Sequence, residues 1–440
     1  MNRCNRILVA LIAVMMTAFT AVFCLMPRST YSELERRDLL RFPDFSWQSL
    51  REGRFTQGVS NWFSDSEPFR DVLMRSSMEL KSLMAFKTKN AVTFHAAQEE
   101  LSAEAETLPE TEVLGDQRVI EEFHNDVNAN AKMENAGVIV VGNAPDARAL
   151  MAFKNKNKGE KRFAEVVNTY KMTFGPEVNV YCMIIPTAVE YYCPVNARNC
   201  TDPEFPVLTE LYTLLDSAVQ VVDLYRVLGE HVDEDIYLRT DHHWSPLGAY
   251  YAARQFAMVA GVKVPDLMDF ETDTIKDYVG SMYGFSKDVN VKKSPEDFVY
   301  YKPLGIAYET TYIRYDLDEE FQIVGEEKPH QGEFFVKVSG SSSAYCTFMG
   351  SDARITQVRI DSDCPRRLLV MKDSFGNAIP GYLFGSFEEI HVVDFRYFTY
   401  NIKNYVEEHG ITDILMANNI SHVCSGAAGS AYKRFLNYGK

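Results

Sequence analysis

Six short runs of apolar, largely β-branched residues follow one another along the chain, separated by stretches of helical composition. The runs are GVIVVG (137–142), VNVYCMIIP (178–186), VQVVDLY (219–225), RLLVM (367–371), EIHVVD (389–394) and TDILMA (412–417). Apolar side chains at nearly every position, rather than at every second one, are typical of strands that are covered on both faces. The sequence therefore predicts an α/β fold built on a mostly parallel sheet.

The segment at residues 245–260 carries helix signals at both ends. Ser245 suits the N-cap, Pro246 suits the first helical position, and Gly261 follows the last helical residue. Between about residues 266 and 349 the pattern changes to short Tyr-, Thr- and Val-rich pieces. We interpret these as a β-rich insertion in an α/β domain that spans residues 133–440.

The N-terminus contains an uncharged apolar run at residues 7–26, preceded by Arg3 and Arg6. About 20 such residues are enough to cross a bilayer as a helix, and the flanking positive charge keeps the N-terminus in the cytoplasm. We therefore predict that residues 1–27 form a single-pass membrane anchor with an extracytoplasmic C-terminal domain. A cleaved signal peptide and a secreted protein are the alternative. Residues 28–132 are predicted to form a helical stalk with an acidic variable segment.

The charge balance excludes one large class of partner. The chain has 61 acidic and 45 basic residues, a formal net charge of −16, and no basic cluster interleaved with aromatic residues. Such a chain repels polyanions, so nucleic acid is not an expected partner. The six cysteines beyond the anchor lie where disulfides are allowed, and the pairs nearest in sequence are Cys193 with Cys200 and Cys346 with Cys364, although spacing does not determine the pairing.

A serine turn follows one of the predicted strands. Ser374 stands in KDSFGN directly after RLLVM, and ligands of open parallel sheets bind beyond the carboxyl ends of the strands. A serine on a tight strand-to-helix turn presents its hydroxyl at the sheet edge, beside backbone amides that are available to an oxyanion. The alternative is that Ser374 is only a helix cap.

A second candidate is the string of Asp241, His242 and His243 just before the capped helix. A histidine acts as a general base towards a serine when a carboxylate holds its other nitrogen, and an aspartate two residues away can do this. A buried polar loop and a metal site are the alternatives. Adjacent histidines in an extended loop point to opposite sides, so they are poor joint ligands for one metal ion, and no metal site is predicted. No other cofactor is predicted either.

Several strings together resemble one known family. TDHHWSPLGAYYA, LLVMKDSFGNAIPGYL, HVVDFRYF and the segment from YSELERRDLL to EPFRD are similar to the DHHW family of membrane-anchored bacterial proteins, related to the SGNH-like O-acetyltransferases of the AlgX/AlgJ group. The resemblance spans nearly the whole chain and is weakest across residues 87–132 and 266–349. It implies an SGNH-like three-layer sandwich.

The resemblance also implies roles for individual residues. Ser374 corresponds to the nucleophile, His243 to the general base and Asp241 to the residue that orients the imidazole, with His242 as an additional hydrogen-bonding residue. Arg396 resembles the arginine of the group's active site, which binds substrate or stabilises an oxyanion.

Other assignments stay open. The alternative role for Arg396 is a salt bridge to Asp394 or Asp373. The glycine and asparagine blocks that usually help to form the oxyanion hole are not clearly matched, so the amides of Ser374 and Gly376 are the first candidates for its donors. Two weaker candidates have a core or loop role as the alternative: Tyr382 and Asn418.

The resemblance implies transfer of acetyl groups to hydroxyls of a polysaccharide or oligosaccharide through an acyl-serine. The implied partner is a membrane-bound O-acyltransferase that supplies the acyl donor. Hydrolysis uses the same triad, so a carbohydrate acetyl esterase is the alternative. A non-catalytic polysaccharide-binding or assembly protein is the third hypothesis, since 24 Tyr and 28 Phe allow an aromatic binding surface.

Overall fold

The computed structural model describes most of the chain after the apolar N-terminal run. The described residues are 28, 31–32, 37–51, 53–69, 120–123, 125, 129, 131–134, 137–318, 323–350 and 352–438. Within these ranges no helix has the length and apolar character needed to cross a membrane. The predicted anchor at residues 1–27 lies outside the described residues, as does the acidic segment near residues 99–112, so both stay predictions.

The chain divides into two compact units, Met1–Lys89 and Asn90–Lys440. In the first unit the described elements are the antiparallel strands β1 (Tyr31–Ser32) and β2 (Arg37–Asp38) and the helices α1 (Trp47–Arg51) and α2 (Arg54–Asp65). Two aromatic pairs pack against α2: Phe42 with Trp62 and Phe45 with Phe55, at ring-centroid distances of 4.9 and 5.1 Å.

The second unit has a mixed α/β fold. Its strands are β3 (Ala131–Met133), β4 (Val138–Val141), β5 (Arg148–Met151), β6 (Asn179–Ile185), β7 (Gln220–Val221), β8 (Phe270–Tyr278), β9 (Glu296–Pro303), β10 (Tyr308–Leu317), β11 (Ile323–Gly332), β12 (Ile355–Ile360), β13 (Arg367–Lys372), β14 (Glu389–Asp394) and β15 (Asp413–Asn419). Its helices are α3 (Glu160–Phe174), α4 (Ala188–Tyr192), α5 (Phe205–Leu214), α6 (Leu224–Gly229), α7 (Pro246–Ala260), α8 (Ser281–Ser286), α9 (Val289–Lys292), α10 (Ile402–His409), α11 (Ile420–Cys424) and α12 (Ala427–Phe435).

The central sheet has eight strands in the order β11-β10-β12-β14-β13-β15-β6-β7. The pairs from β14 to β7 are parallel, and the pairs from β11 to β14 are antiparallel. The prediction of a mostly parallel sheet is therefore wrong, because the sheet is mixed: one half is parallel and the other half is antiparallel. The cause is the region predicted as an insertion: its strands β10 and β11 extend the main sheet, while β8 and β9 form a separate antiparallel pair.

The first apolar run, residues 137–142, does not contribute to the central sheet, so its prediction as a strand of the parallel sheet is wrong. Residues 138–141 form β4 of a separate three-stranded antiparallel sheet, β3-β4-β5. Only a short connection separates β4 from β5, and a parallel pairing needs a crossover of a dozen or more residues. The short connection therefore permits only the antiparallel arrangement.

The remaining apolar runs form strands of the parallel half of the sheet, as predicted. Every residue of β15 is buried, and β6, β13 and β14 are buried at all positions after the first. This continuous burial confirms that both faces of these strands are covered. The helix predicted at residues 245–260 is α7: the Ser245 hydroxyl accepts from the Gly248 amide at 3.2 Å, and Gly261 ends the helix at φ 65°.

The cysteine pairs nearest in sequence are not disulfide-bonded. Cys193 and Cys200 are buried free thiols, and Cys364 is a partly exposed free thiol. Burial raises the pKa of the Cys193 thiol to about 12, so this sulfur stays protonated at neutral pH.

Candidate active site

The carboxyl ends of three neighbouring parallel strands meet at one edge of the sheet. Ser374 follows β13, Asn419 ends β15, and Thr187 lies two residues beyond β6. Side chains from all three positions line one small cavity that opens to solvent, together with Asp241 and His242 from the loop before α7. The cavity therefore lies where open α/β sheets bind their ligands.

Ser374, His243 and Asp241 form a hydrogen-bonded series. The His243 Nε2 atom lies 2.8 Å from the Ser374 hydroxyl, although the two residues are 131 positions apart in the chain. The His243 Nδ1 atom lies 2.7 Å from Asp241 Oδ1. With its Nδ1 proton directed to the carboxylate, the imidazole presents the Nε2 lone pair to the serine hydroxyl, which is the orientation that general-base chemistry requires.

The Asp241 carboxylate is fixed by further donors. Its Oδ2 atom accepts from the Tyr278 hydroxyl at 2.8 Å and from the Ser281 amide at 2.7 Å, and its Oδ1 atom also accepts from the His243 amide at 3.1 Å. Gly280 allows this close approach, because a Cβ there would lie 2.4 Å from the Asp241 Cβ. Asp241 is therefore a buried, fully hydrogen-bonded anchor for the histidine.

Aromatic rings hold the His243 imidazole in its plane. The Tyr345 ring is stacked on it at a centroid distance of 3.9 Å and an angle of 5°, and the Phe375 ring lies 4.9 Å away. The Tyr345 hydroxyl and the Trp244 indole N–H both donate to the Phe375 carbonyl, each at 3.0 Å. Burial raises the pKa of Tyr345 well above its ordinary value, so its hydroxyl remains a donor.

The serine turn is a 3₁₀ segment, Ser374–Ala378, capped by Asp373, whose carboxylate accepts from the Phe375 amide at 3.0 Å. Gly376 packs directly on the preceding strand, since a Cβ at this position would lie 2.4 Å from the Cβ of Lys372. The Gly376 amide donates to the Asp373 carbonyl at 3.0 Å and is thus engaged within the turn. The Ser374 amide has no such partner in the described part of the chain, which leaves it as the stronger of the two predicted oxyanion donors.

Arg396 is held in a partly buried ion network, and it is not among the residues that line the cavity. Its guanidinium donates to both oxygens of Asp394, at 2.8 and 2.7 Å, and to Asp352 at 2.7 Å. Lys372, with a side chain 1% exposed, donates to the same two carboxylates. Burial raises the pKa of Asp352, but the charges of Lys372 and Arg396 lower it well below its ordinary range. The salt bridge to Asp394 given as the alternative for Arg396 is therefore present.

The two weaker candidates lie in the core. Tyr382 is buried and donates to the Pro246 carbonyl at 2.7 Å. Asn418 is buried and accepts from the Tyr432 hydroxyl at 2.7 Å. Neither side chain is among those that line the cavity, and the contacts of both are those of core residues.

The structure shows a hydrogen-bonded pair that the sequence analysis missed, Asp373 with His422. Asp373 Oδ2 accepts from the Asn419 amide at 2.7 Å and lies 2.9 Å from the Nδ1 atom of His422. Burial raises the pKa of Asp373, but hydrogen bonds from His422 and from backbone amides leave it below its ordinary value. Asn419 and His422 follow the strand predicted from TDILMA, so the rule for the carboxyl ends of strands was the signal that could have found them.

The metal alternative has a geometric basis. Ligand atoms of Asp241, His242 and His243 lie within 4.8 Å of one another. However, the Asp241 carboxylate and His243 Nδ1 already bind each other, and His242 Nδ1 lies 2.6 Å from the Ser281 hydroxyl. These hydrogen bonds engage the atoms that a metal ion needs, so the donor set fits a triad better than it fits a metal centre.

These features define an α/β protein with a Ser–His–Asp triad at the carboxyl edge of its sheet. The chain matches the family model described as DHHW protein over residues 108–393, and it belongs to the DHHW family.

Three solved structures are similar to this chain. A DHHW family protein from Eubacterium siraeum is 34% identical, with coverage of 69% of this chain and 97% of its own and a TM-score of 0.61. Bacillus cereus PatB1, solved with a sulfonyl adduct, is 18% identical, with coverage of 70% and 99% and a TM-score of 0.50. The O-acetyltransferase domain of Pseudomonas putida AlgJ is 13% identical, with coverage of 65% and 92% and a TM-score of 0.35. A comparison with curated proteins gave no match.

Proposed function

We propose that this protein transfers acyl groups through an acyl-enzyme intermediate on Ser374. The observation that carries the proposal is the hydrogen-bonded series from Asp241 through His243 to the Ser374 hydroxyl, with distances of 2.7 and 2.8 Å. These lengths lie in the range that proton transfer requires. The series also has the three roles in the order that nucleophilic catalysis by serine uses.

The steps follow from the geometry. His243 Nε2 takes the proton of the Ser374 hydroxyl while the serine oxygen attacks the acyl carbonyl, and Asp241 stabilises the imidazolium. The amide of Ser374 is the proposed donor to the oxyanion. The imidazolium then gives its proton to the leaving oxygen as the bond between that oxygen and the acyl carbon breaks. In the second half-reaction His243 takes the proton of the acceptor hydroxyl as that oxygen attacks the acyl-serine. The bond between the acyl carbon and the Ser374 oxygen then breaks, and the imidazolium returns the proton to Ser374.

We further propose that the acyl group is acetyl and that the acceptor is a hydroxyl of an exported or cell-surface polysaccharide. The support is the resemblance of the DHHW string and of the serine turn to those of polysaccharide O-acetyltransferases. The net charge of −16 favours a neutral acceptor over a polyanion. In this proposal the apolar run at residues 7–26 holds the protein at the outer face of the cell membrane, and a membrane-bound O-acyltransferase supplies the acyl group.

The test is covalent labelling and ester turnover by the full chain. We expect p-nitrophenyl acetate to give a burst of p-nitrophenol and a sulfonyl fluoride to label Ser374, with both signals lost in Ser374→Ala. Ser430→Ala is the matched control, because Ser430 is an exposed serine on α12 that does not line the cavity. Equal labelling of wild type and Ser374→Ala would refute the nucleophile.

Acceptors then separate transfer from hydrolysis. The acylated enzyme is mixed with neutral oligosaccharides, and the products are identified by mass spectrometry. Acetylated sugar supports the transferase, whereas free acetate alone identifies an esterase. Sugar binding without labelling or turnover identifies a non-catalytic binding protein.

A further inference from the structure

The cavity beside Ser374 contains a second imidazole that the triad does not use. His422 lines this cavity, and its side chain is 5% exposed. It lies in α11, immediately after β15, the strand that pairs with β13 ahead of the serine turn. The pairing of β13 with β15 therefore places His422 at the cavity that Ser374 lines.

The neighbours of His422 define its orientation and its tautomer. Its Nδ1 atom lies 2.9 Å from Asp373 Oδ2, and the Phe395 ring packs edge-on at a centroid distance of 5.0 Å. Asn419 caps the same turn through its Oδ1 atom, which accepts from the amides of Ser421 and His422. The side-chain nitrogen of Asn419 also lies 2.9 Å from Nδ1. A lone pair on Nδ1 would face the Asp373 carboxylate at 2.9 Å, so the tautomer that fits this contact has its proton on Nδ1, directed to Asp373, and its lone pair on Nε2.

The Nε2 atom of His422 is not enclosed by the described part of the protein. It makes no hydrogen bond to another described residue, and it is absent from the buried polar atoms of the described chain that lack a partner. An imidazole that lines a cavity and has its other nitrogen bound to a carboxylate therefore offers this atom to a ligand.

A hydrogen-bond acceptor here has a chemical use that His243 cannot supply. In the transfer step the single proton of the attacking hydroxyl goes to His243, so that hydroxyl has no second proton for another acceptor. A sugar differs from water and from simple alcohols because it carries a neighbouring hydroxyl. That neighbour can donate to a second acceptor in the same cavity while the first hydroxyl attacks.

We propose that His422 selects polyol acceptors by accepting, at Nε2, a hydrogen bond from the hydroxyl adjacent to the one that becomes acylated. The proposal rests on the acyl-transfer function stated above, and it makes His422 a specificity-determining residue of the second half-reaction. A site built to bind a hydroxyl discriminates against an analogue that lacks it, because the buried acceptor is then left without a partner.

Two substitutions separate the two ring nitrogens. In His422→Asn the amide nitrogen takes the place of Nδ1 and retains Asp373 as its partner, but the Nε2 acceptor is lost. In His422→Gln the side-chain amide reaches the place of Nε2 and loses the contact with Asp373. His409→Asn is the control, since His409 ends α10 and does not line the cavity.

The measurement is the partition of acyl-Ser374 between 1,2-propanediol, 1-propanol and water. The burst with p-nitrophenyl acetate gives the acylation rate separately. We expect wild type and His409→Asn to prefer the diol to the monoalcohol. In His422→Asn this preference should fall about tenfold, while the acylation rate stays within about twofold, and His422→Gln should retain more of the preference than His422→Asn.

The outcomes are distinguishable from failure of the proposed function. If wild type forms no acyl-enzyme, the acyl-transfer proposal fails before His422 is tested. If acyl-Ser374 forms but wild type shows no diol preference, or if His422→Asn keeps that preference, the role of His422 is wrong. A parallel loss of acylation and of diol preference in both His422 variants, with lowered melting temperatures, would show that the residue is structural.

Discussion

Substitution of Lys372 by methionine tests whether the ion network under the serine turn stabilises the fold. The network contains two positive groups, Lys372 and Arg396, and two negative groups, Asp352 and Asp394, so its formal charge is zero. The Lys372 and Asp394 side chains are 1% and 0% exposed. Methionine retains the length and the packing of the lysine stem but removes its charge, which leaves a net charge of −1 in a network whose other members, Arg396 and Asp352, are 29% and 21% exposed.

The magnitude follows from the hydrogen bonds that are lost. Lys372 donates to Asp352 at 2.9 Å and to Asp394 at 2.8 Å. Charge-assisted hydrogen bonds contribute about 1.5–3 kcal/mol each, and removal of one partner of a buried pair typically costs about 3–5 kcal/mol. Arg396 still binds both carboxylates and limits the loss. We therefore expect Lys372→Met to lower the free energy of unfolding by about 3 kcal/mol, the lower end of the range for a buried pair.

The assay is urea denaturation followed by circular dichroism, with the double variant Lys372→Met/Asp352→Asn as the comparison. The double variant restores a neutral network of Arg396 with Asp394, so it should be more stable than Lys372→Met alone.

The loss of stability in Lys372→Met should also be smaller at acidic pH. In wild type the charges of Lys372 and Arg396 hold the pKa of Asp352 well below its ordinary range, so the ionised carboxylate contributes stability that is lost as the pH falls below about 4. Without Lys372 this contribution is smaller, so the difference between the two proteins narrows in acid. A loss below about 1 kcal/mol, or a double variant less stable than the single one, would refute the reasoning.

Three further outcomes are expected. Gly376→Ala should reduce ester turnover by at least tenfold with little change in substrate binding, because the added Cβ lies 2.4 Å from the Lys372 Cβ and displaces the serine turn; unchanged turnover would contradict this packing. Turnover should survive exhaustive chelation, and its loss, with recovery on adding zinc, would favour the metal site instead. Burial raises the pKa of Asp223 to about 7, so the folded state holds a proton that the unfolded chain releases above about pH 4. The contribution of Asp223 to stability therefore falls as the pH rises from 4 to 7, and Asp223→Asn, compared with wild type by urea denaturation across this range, should remove a change of roughly 4 kcal/mol; an identical pH dependence in the two proteins would show that Asp223 is not the cause.

The parallel half of the sheet could be predicted because its strands are buried on both faces. β6, β13, β14 and β15 are continuous apolar runs, and such runs have few other stable placements. The antiparallel half gives a weaker signal. β12 alternates partly between buried and exposed positions, and its pairing with β10 and β14 depends on contacts between distant parts of the chain.

The candidate site was predictable to the extent that its residues lie in short motifs. Asp241 and His243 are two residues apart, and Ser374 follows an apolar strand, so each has a local signature. His422 has no such signature, because its partner Asp373 is 49 residues away and the two meet only through the pairing of β13 with β15. Arg396 shows the opposite case: its motif suggested a substrate contact, but the neighbouring carboxylates Asp352 and Asp394 bind its charge.

The region interpreted as a β-rich insertion is part of the site rather than an addition to the fold. Tyr278, at the end of β8, donates to Asp241, and Tyr345, near the end of the same region, stacks on His243. The DHHW string supplies the carboxylate and the imidazole, but on its own it does not fix the plane of the ring or satisfy the carboxylate. Because a general base acts only when its lone pair points at the nucleophile, the geometry of the His243–Ser374 pair depends on residues 266–349 as much as on the motif itself.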